Sequence, residues 1–156
     1  MPQDKCYAPR DVFEKILKWM VIPTFDLILE INGKGVLLLK RKIAPYKNKW
    51  ALPGLRIYKG ESIDETLIRI VKNEISIRID PSKKIFLGQY VGKFRSEEQR
   101  QDLSTGYLIA VDTNDKIKIN KEHFSTFKFI SKQKKIPRET GAMYRYYLGE
   151  YFKRSK

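Results

Sequence analysis

Gly60-Glu61-Ser62-Ile63-Asp64-Glu65-Thr66-Leu67-Ile68-Arg69-Ile70-Val71-Lys72-Asn73-Glu74-Ile75-Ser76-Ile77 carries the strongest local signals in the chain. Ser62, with Glu65 three residues on, is a capping box, in which each side chain satisfies a backbone N–H of the other. Asp64 and Glu65 in the first turn suit the positive end of a helix dipole. Ile63, Leu67, Ile70, Val71 and Ile75 recur with the 3.6-residue period, which predicts a helix over 63–75 that buries one stripe. Glu74 breaks the pattern. At about 100° per residue it falls inside the apolar stripe, between Leu67, Ile70 and Val71. A buried carboxylate without a partner is costly, so either Glu74 holds a cation or the helix end frays and it reaches water. Glu61 lies just ahead of the same helix, beside the Lys59-Gly60 turn, and Pro53-Gly54 lies upstream. Two acids and the Gly54 carbonyl form an oxygen donor set, which suits Mg²⁺ better than zinc because no cysteine or histidine lies nearby.

Around this helix the chain alternates strand and turn. Pro9 to Met20 reads as an amphipathic helix with Val12, Phe13, Ile16, Leu17 and Met20 on one face. Thr24–Ile31 and Val36–Arg41 read as strands joined by the turn Asn32-Gly33-Lys34-Gly35, a hairpin. A short strand is expected at Arg56–Tyr58. Further strands are expected at Phe86–Phe94, Thr105–Val111 and Phe127–Ile130, with a polar excursion from Arg95 to Asp102. A closing helix after Pro137 carries Tyr144, Tyr147, Leu148, Tyr151 and Phe152. Strands dominate the middle, and helices sit at the ends and after Gly60. The fold class is α/β, a sandwich around a mixed sheet.

The chain has 156 residues, enough for one domain. It is 42% hydrophobic, so a disordered chain is excluded. No apolar run approaches the ~20 residues of a membrane span, and Met1-Pro2-Gln3-Asp4-Lys5 lacks a signal-peptide pattern. The single cysteine, Cys6, excludes an intrachain disulfide, and a cytoplasmic protein is expected. The net charge of +14 favours anionic partners: nucleic acid, phosphate-bearing metabolites or an acidic surface.

The spacing over residues 55–77 resembles the Nudix signature: Gly, five residues, Glu, seven residues, Arg-Glu-apolar, one residue, Glu-Glu, one residue, Gly-apolar. Leu55 stands at the first glycine, and Glu61, Arg69, Val71, Glu74 and Ile77 keep their places. Ile70, Asn73 and Ser76 replace two glutamates and the second glycine. The resemblance implies one Nudix hydrolase domain over 1–156, an α/β/α sandwich with an N-terminal helical extension (1–22), a degenerate box (54–77) and a C-terminal helix (137–156).

The pattern of losses is similar to that of GDP-mannose mannosyl hydrolases, Nudix enzymes that attack the anomeric carbon of the sugar rather than phosphorus. That likeness implies roles residue by residue. His123 would be the general base, and Arg41 would grip the diphosphate. Asp26 and Arg56 would contact substrate, while Gly54, Glu74 and Glu122 would hold Mg²⁺ or Mn²⁺. Glu61 and Arg69 are secondary candidates, with Arg69 pairing an acid near the box. The implied substrate is a nucleotide sugar and the implied assembly a homodimer. Each residue also has an ordinary alternative: His123 and Arg41 as surface groups, Asp26 pointing to solvent by strand alternation, Tyr90, Phe94 and Tyr107 as core rather than base-stacking aromatics. Two other functions stay open. One is a pyrophosphohydrolase using Glu61, Glu74 and Glu122. The other is a non-catalytic module that binds nucleotides or RNA.

Overall fold

The computed structural model describes residues 7–95 and 99–154. Its elements run α1 (Arg10–Trp19), β1 (Val21–Ile31), β2 (Val36–Arg41), β3 (Trp50–Ala51), β4 (Gly54–Arg56), α2 (Ile63–Ile75), β5 (Ile85–Lys93), β6 (Gln101–Val111), β7 (Phe124–Ile130) and α3 (Ala142–Arg154). The predicted α/β sandwich forms around a mixed seven-stranded sheet in the order β3-β2-β1-β6-β5, with β4 also on β1 and β7 also on β2. β1 is central, runs parallel to β6, and is covered on both faces, which accounts for its near-continuous apolar run. Leu27, Leu29, Leu37 and Leu39 pack under Leu67, Ile70, Val71 and Ile75 of α2. Ile28, Val36 and Leu38 point the other way, against Met143, Tyr147 and Leu148 of α3. Each fully buried leucine or isoleucine contributes roughly 1.5–3 kcal/mol.

Two local signals act as read. Asn32 and Gly33 have φ of 50° and 66°, the positive values an Asn-Gly hairpin turn needs. In α2, Ser62 Oγ accepts from Glu65 N (3.2 Å) while Glu65 Oε2 accepts from Ser62 N (2.7 Å). Ser76 closes that helix with φ 61°, a left-handed residue at the position where the signature has glycine.

The hairpin does not stay zipped. Glu30↔Val36 is its registered pair, after which β2 diverges from β1. Residues 50–56 fill the fork. β3 pairs with β2 (Leu39↔Ala51), then the chain crosses and β4 pairs antiparallel with β1 (Asp26↔Gly54, Thr24↔Arg56). The strand expected at Arg56–Tyr58 therefore lies earlier, at Gly54–Arg56; past Thr24 the ladder stops at Pro23, whose carbonyl accepts from Ile57 N (3.3 Å) but which has no N–H to donate back. Residues 96–98 of the expected polar excursion lie outside the described residues, and its last two, Gln101 and Asp102, belong to β6, paired with Val21 and Ile22. α3 starts at Ala142, five residues later than Pro137, after a 3₁₀ turn at Gln133–Lys135 and a bridge from Thr140 to Trp50. α1 forms as read, but its apolar stripe covers nothing completely; none of its residues is buried. Among the described residues no helix is long and apolar enough to cross a membrane.

Candidate active site

The fork opens on a cavity of about 460 Å³. Asp26, Arg41, Gly54, Arg56, Glu74 and His123 all line it, brought together from β1, β2, β4, α2 and the loop before β7. The loop delivers His123 by backbone bonds. Lys118 N donates to Ile75 O (3.0 Å) and Asn120 N to Glu74 O (2.8 Å), clipping the loop onto the carbonyl end of α2. His123 N then donates to Asn120 O (3.1 Å).

Glu74 is 0% exposed, as its place in the stripe demands, so the frayed-end alternative does not hold. Its Oε1 lies 2.9 Å from Nδ1 of His123, and its Oε2 has no hydrogen-bond partner among the described residues. In the tautomer that donates from Nδ1 to this carboxylate oxygen, the lone pair of the neutral imidazole sits on Nε2. The hydrogen bond to Glu74 raises the pKa of the His123 imidazole above its ordinary value, against the opposing effect of burial.

Asp26 is 3% exposed, not turned to solvent. Burial pushes its pKa up to about 7, although Ser104 Oγ donates to its Oδ2. Ser104 Oγ is in turn 2.8 Å from Tyr147 Oη. The other carboxylate oxygen abuts Gly54. A Cβ at residue 54 would collide with Asp26 Oδ1 and stand 2.7 Å from the Phe25 carbonyl. Gly54→Ala should therefore destabilise the fold by about 1–3 kcal/mol, the usual scale of overpacking. A thermal melt unchanged from wild type would show that the Asp26 carboxylate and the β1 backbone at Phe25 both yield without cost.

The arginines are held differently. Arg41 Nε donates to Pro45 O (2.6 Å) and its Nη2 to Ala44 O (3.3 Å), while Nη1 has no protein partner among the described residues. Arg56 makes no side-chain hydrogen bond among the described residues; its guanidinium lies over the rings of Phe13, Tyr7 and Tyr58.

Three expected residues stand apart from the wall. Arg69 Nη2 donates to Glu61 Oε2 (2.8 Å) and to Arg56 O (2.7 Å). Glu61 also accepts from Tyr58 N (2.9 Å) and Thr66 Oγ1 (2.9 Å). Glu61 and Arg69 thus clasp the turn at 56–61 to α2. Glu122 is exposed and does not line the cavity, because its backbone N–H caps Asn120 Oδ1 and the loop turns His123 inward instead. No group of three His, Cys, Asp or Glu converges as a metal cluster among the described residues.

Sequence reasoning missed Thr24, Arg100, Asp102, Asn120 and Tyr144 on the wall. Asp102 is buried and pairs with Arg100 (2.7 Å). The alternation Asp102-Leu103-Ser104 was the available signal, a strand with one polar face. Tyr90, Phe94 and Tyr107 pack against neighbouring rings, Tyr107 against Phe25 at 6.1 Å and Phe94 against Tyr46 at 5.1 Å.

Comparison with known proteins bears on the family and the fold. The NUDIX domain model matches residues 21–147. Low-salt glycan biosynthesis protein Agl8 of Haloferax volcanii is 22% identical over 118 residues, 74% of each chain. An ADP-ribose pyrophosphatase of Methanocaldococcus jannaschii is 40% identical over 65 residues, 42% of this chain and 37% of its own. The crystal structure of a MutT protein from Methanosarcina mazei superposes with a TM-score of 0.72 at 18% identity, covering 87% of this chain and 96% of that one, a likeness of fold alone.

Proposed function

Because the chain belongs to the NUDIX domain family, we propose that it is a metal-dependent hydrolase of a sugar nucleotide, acting like a GDP-mannose mannosyl hydrolase to release GDP and free hexose. The observation that carries this reading is the dyad of His123 and Glu74 opening on the cavity. Attack at carbon needs one base and a gripped leaving group, and the cavity wall holds one histidine and three arginines.

The residues fit one hard divalent cation. Glu74 Oε2 is a buried oxygen without a partner among the described residues, and Gly54 lines the same cavity. These two would hold Mg²⁺ or Mn²⁺, with Glu122 joining only if its side chain turned inward. When bound, the ion would supply charge neutralisation at the diphosphate.

The protein's own groups do the rest. His123 Nε2 takes a proton from water, and the water oxygen forms a bond to the anomeric carbon. The bond from that carbon to the bridging phosphate oxygen breaks, and its electron pair leaves on GDP. A diphosphate leaves as an anion without a proton donor. Arg41 and Arg56 stabilise the developing charge, for which the planar guanidinium suits phosphate oxygens. Asp26 contacts the substrate from the β1 side.

A second reading has its own support. The segment 40% identical to an ADP-ribose pyrophosphatase favours attack at phosphorus on a nucleoside diphosphate derivative. Turnover of GDP-mannose with Mg²⁺ in ¹⁸O-labelled water separates the two. Label on free mannose beside unlabelled GDP is expected. Label on GMP or mannose phosphate would replace the proposal with the pyrophosphohydrolase. Absence of turnover across nucleotide sugars and dinucleotides would leave a nucleotide- or RNA-binding module, whose RNA affinity should fall steeply with salt.

A further inference from the structure

We infer that α1 serves the cavity: Phe13, with Tyr7 and Tyr58, forms an aromatic seat that orients Arg56 for the diphosphate, an inference that rests on the role proposed for Arg56 above.

α1 has no buried residue, and Val12 and Met20 of its apolar stripe are 41% and 61% exposed. The helix therefore adds little to the core. What it does touch is specific. The Arg56 guanidinium carbon lies 3.8 Å from the ring centroid of Phe13, 4.7 Å from that of Tyr7 and 5.5 Å from that of Tyr58. Tyr7 and Tyr58 meet edge to face at 5.6 Å. Tyr7, Arg56 and Tyr58 all line the cavity.

The kind of contact matters. The other two arginines on the wall are tied by acceptors, Arg41 to loop carbonyls and Arg100 to Asp102. A carboxylate beside Arg56 would also fix it, but would occupy the N–H donors and cancel the charge that a phosphate needs. Stacking on ring faces limits the guanidinium's freedom while leaving its in-plane N–H edge for a ligand. Tyr58 is braced from its other partner: Arg69 sits 3.7 Å from the same ring, with its charge already paired to Glu61. Two guanidinium groups can share one ring because the charge of Arg69 is paired to Glu61, while Arg56 has no acid partner among the described residues. Phe13 and Tyr7 are thus positioning residues, acting through Arg56.

Calorimetric titration tests this, with GDP and with inorganic pyrophosphate, which carries the diphosphate alone, on the full chain in Mg²⁺. Phe13→Leu keeps bulk and loses the ring. It is expected to weaken both ligands about three- to tenfold, the scale of a cation–π contact. Its melting temperature should stay close to wild type, because residue 13 is not buried. Phe13→Tyr should restore affinity. In an Arg56→Ala background, Phe13→Leu should change nothing further. Undiminished affinity in Phe13→Leu, or the same loss with and without Arg56, would overturn the seat while leaving Arg56's own role standing. An Arg56→Ala variant that binds both ligands normally, or a wild type that binds neither, would overturn the role of Arg56 and the seat with it.

Discussion

His123→Gln is expected to lower kcat for GDP-mannose by about 10²–10⁴-fold, the usual worth of a general base, with KM changed little. Glutamine is a close mimic of the wrong half of histidine. Its amide N–H can still donate to Glu74 Oε1, so the bond that holds residue 123 at 2.9 Å is replaceable and the buried carboxylate keeps a partner. It has no lone pair basic enough to accept the water proton. The fold, the cavity and the arginines that grip the diphosphate are untouched, so the loss belongs to the chemical step. Steady-state kinetics at one pH decide the matter. A variant within about threefold of wild type would mean that another group takes the proton, and attack at phosphorus would become the better account.

Asp26→Asn is expected to stabilise the protein at neutral and alkaline pH while reducing turnover. In the folded protein Asp26 has a pKa of about 7, against an ordinary 3.8, chiefly because burial disfavours its charge. The folded state therefore holds the proton more tightly than the unfolded chain. The stability this proton contributes is fully present below about 3.8 and is lost as pH rises through about 7. The wild type should thus weaken by roughly 3–5 kcal/mol relative to the asparagine variant between pH 4 and pH 8. Asparagine is neutral throughout, and its amide oxygen can still accept from Ser104. Urea melts of both proteins across that range measure the gap, and a gap independent of pH would show that the folded protein leaves the carboxyl at its ordinary value. Stability given up at a cavity wall is the usual signature of a group kept for binding rather than for packing.

The parts of the fold that local chemistry dictates were legible. The capping box and the 3.6-residue stripe place α2 at its observed bounds, and Asn32-Gly33 marks the hairpin. Glu74 was legible as a buried acid by the same periodicity, and its neighbour His123 only through resemblance, since 49 residues separate them and a backbone clip joins them. The fork was not legible. Strand pairing is a long-range choice, and nothing local in Trp50–Arg56 says that its two ends pair with different strands. Asp102 was missed because a polar residue at a strand's start looks like loop until β1 is seen beside it. Two acids were not placed by sequence alone: Glu61, at its signature position, is held in a clasp with Arg69, and the exposed Glu122, which resemblance alone singled out, does not line the cavity.

The fork between β1 and β2 divides the machinery between two arms. Asp26 rides on β1, and Gly54 and Arg56 are stitched to it through β4. Arg41 ends β2, and His123 hangs beside it, its carbonyl accepting from Lys42 N at 2.7 Å where β7 begins on β2. Like the blades of shears, the two arms share a pivot at the hairpin, where Glu30 faces Val36. That angle sets the separation of the base from Arg56, and residues 50–56, paired with one arm through β3 and with the other through β4, hold it fixed. The span across which water and sugar must meet is therefore written in the splay of two strands, and a substitution at the pivot reaches the chemistry from the far end of the sheet.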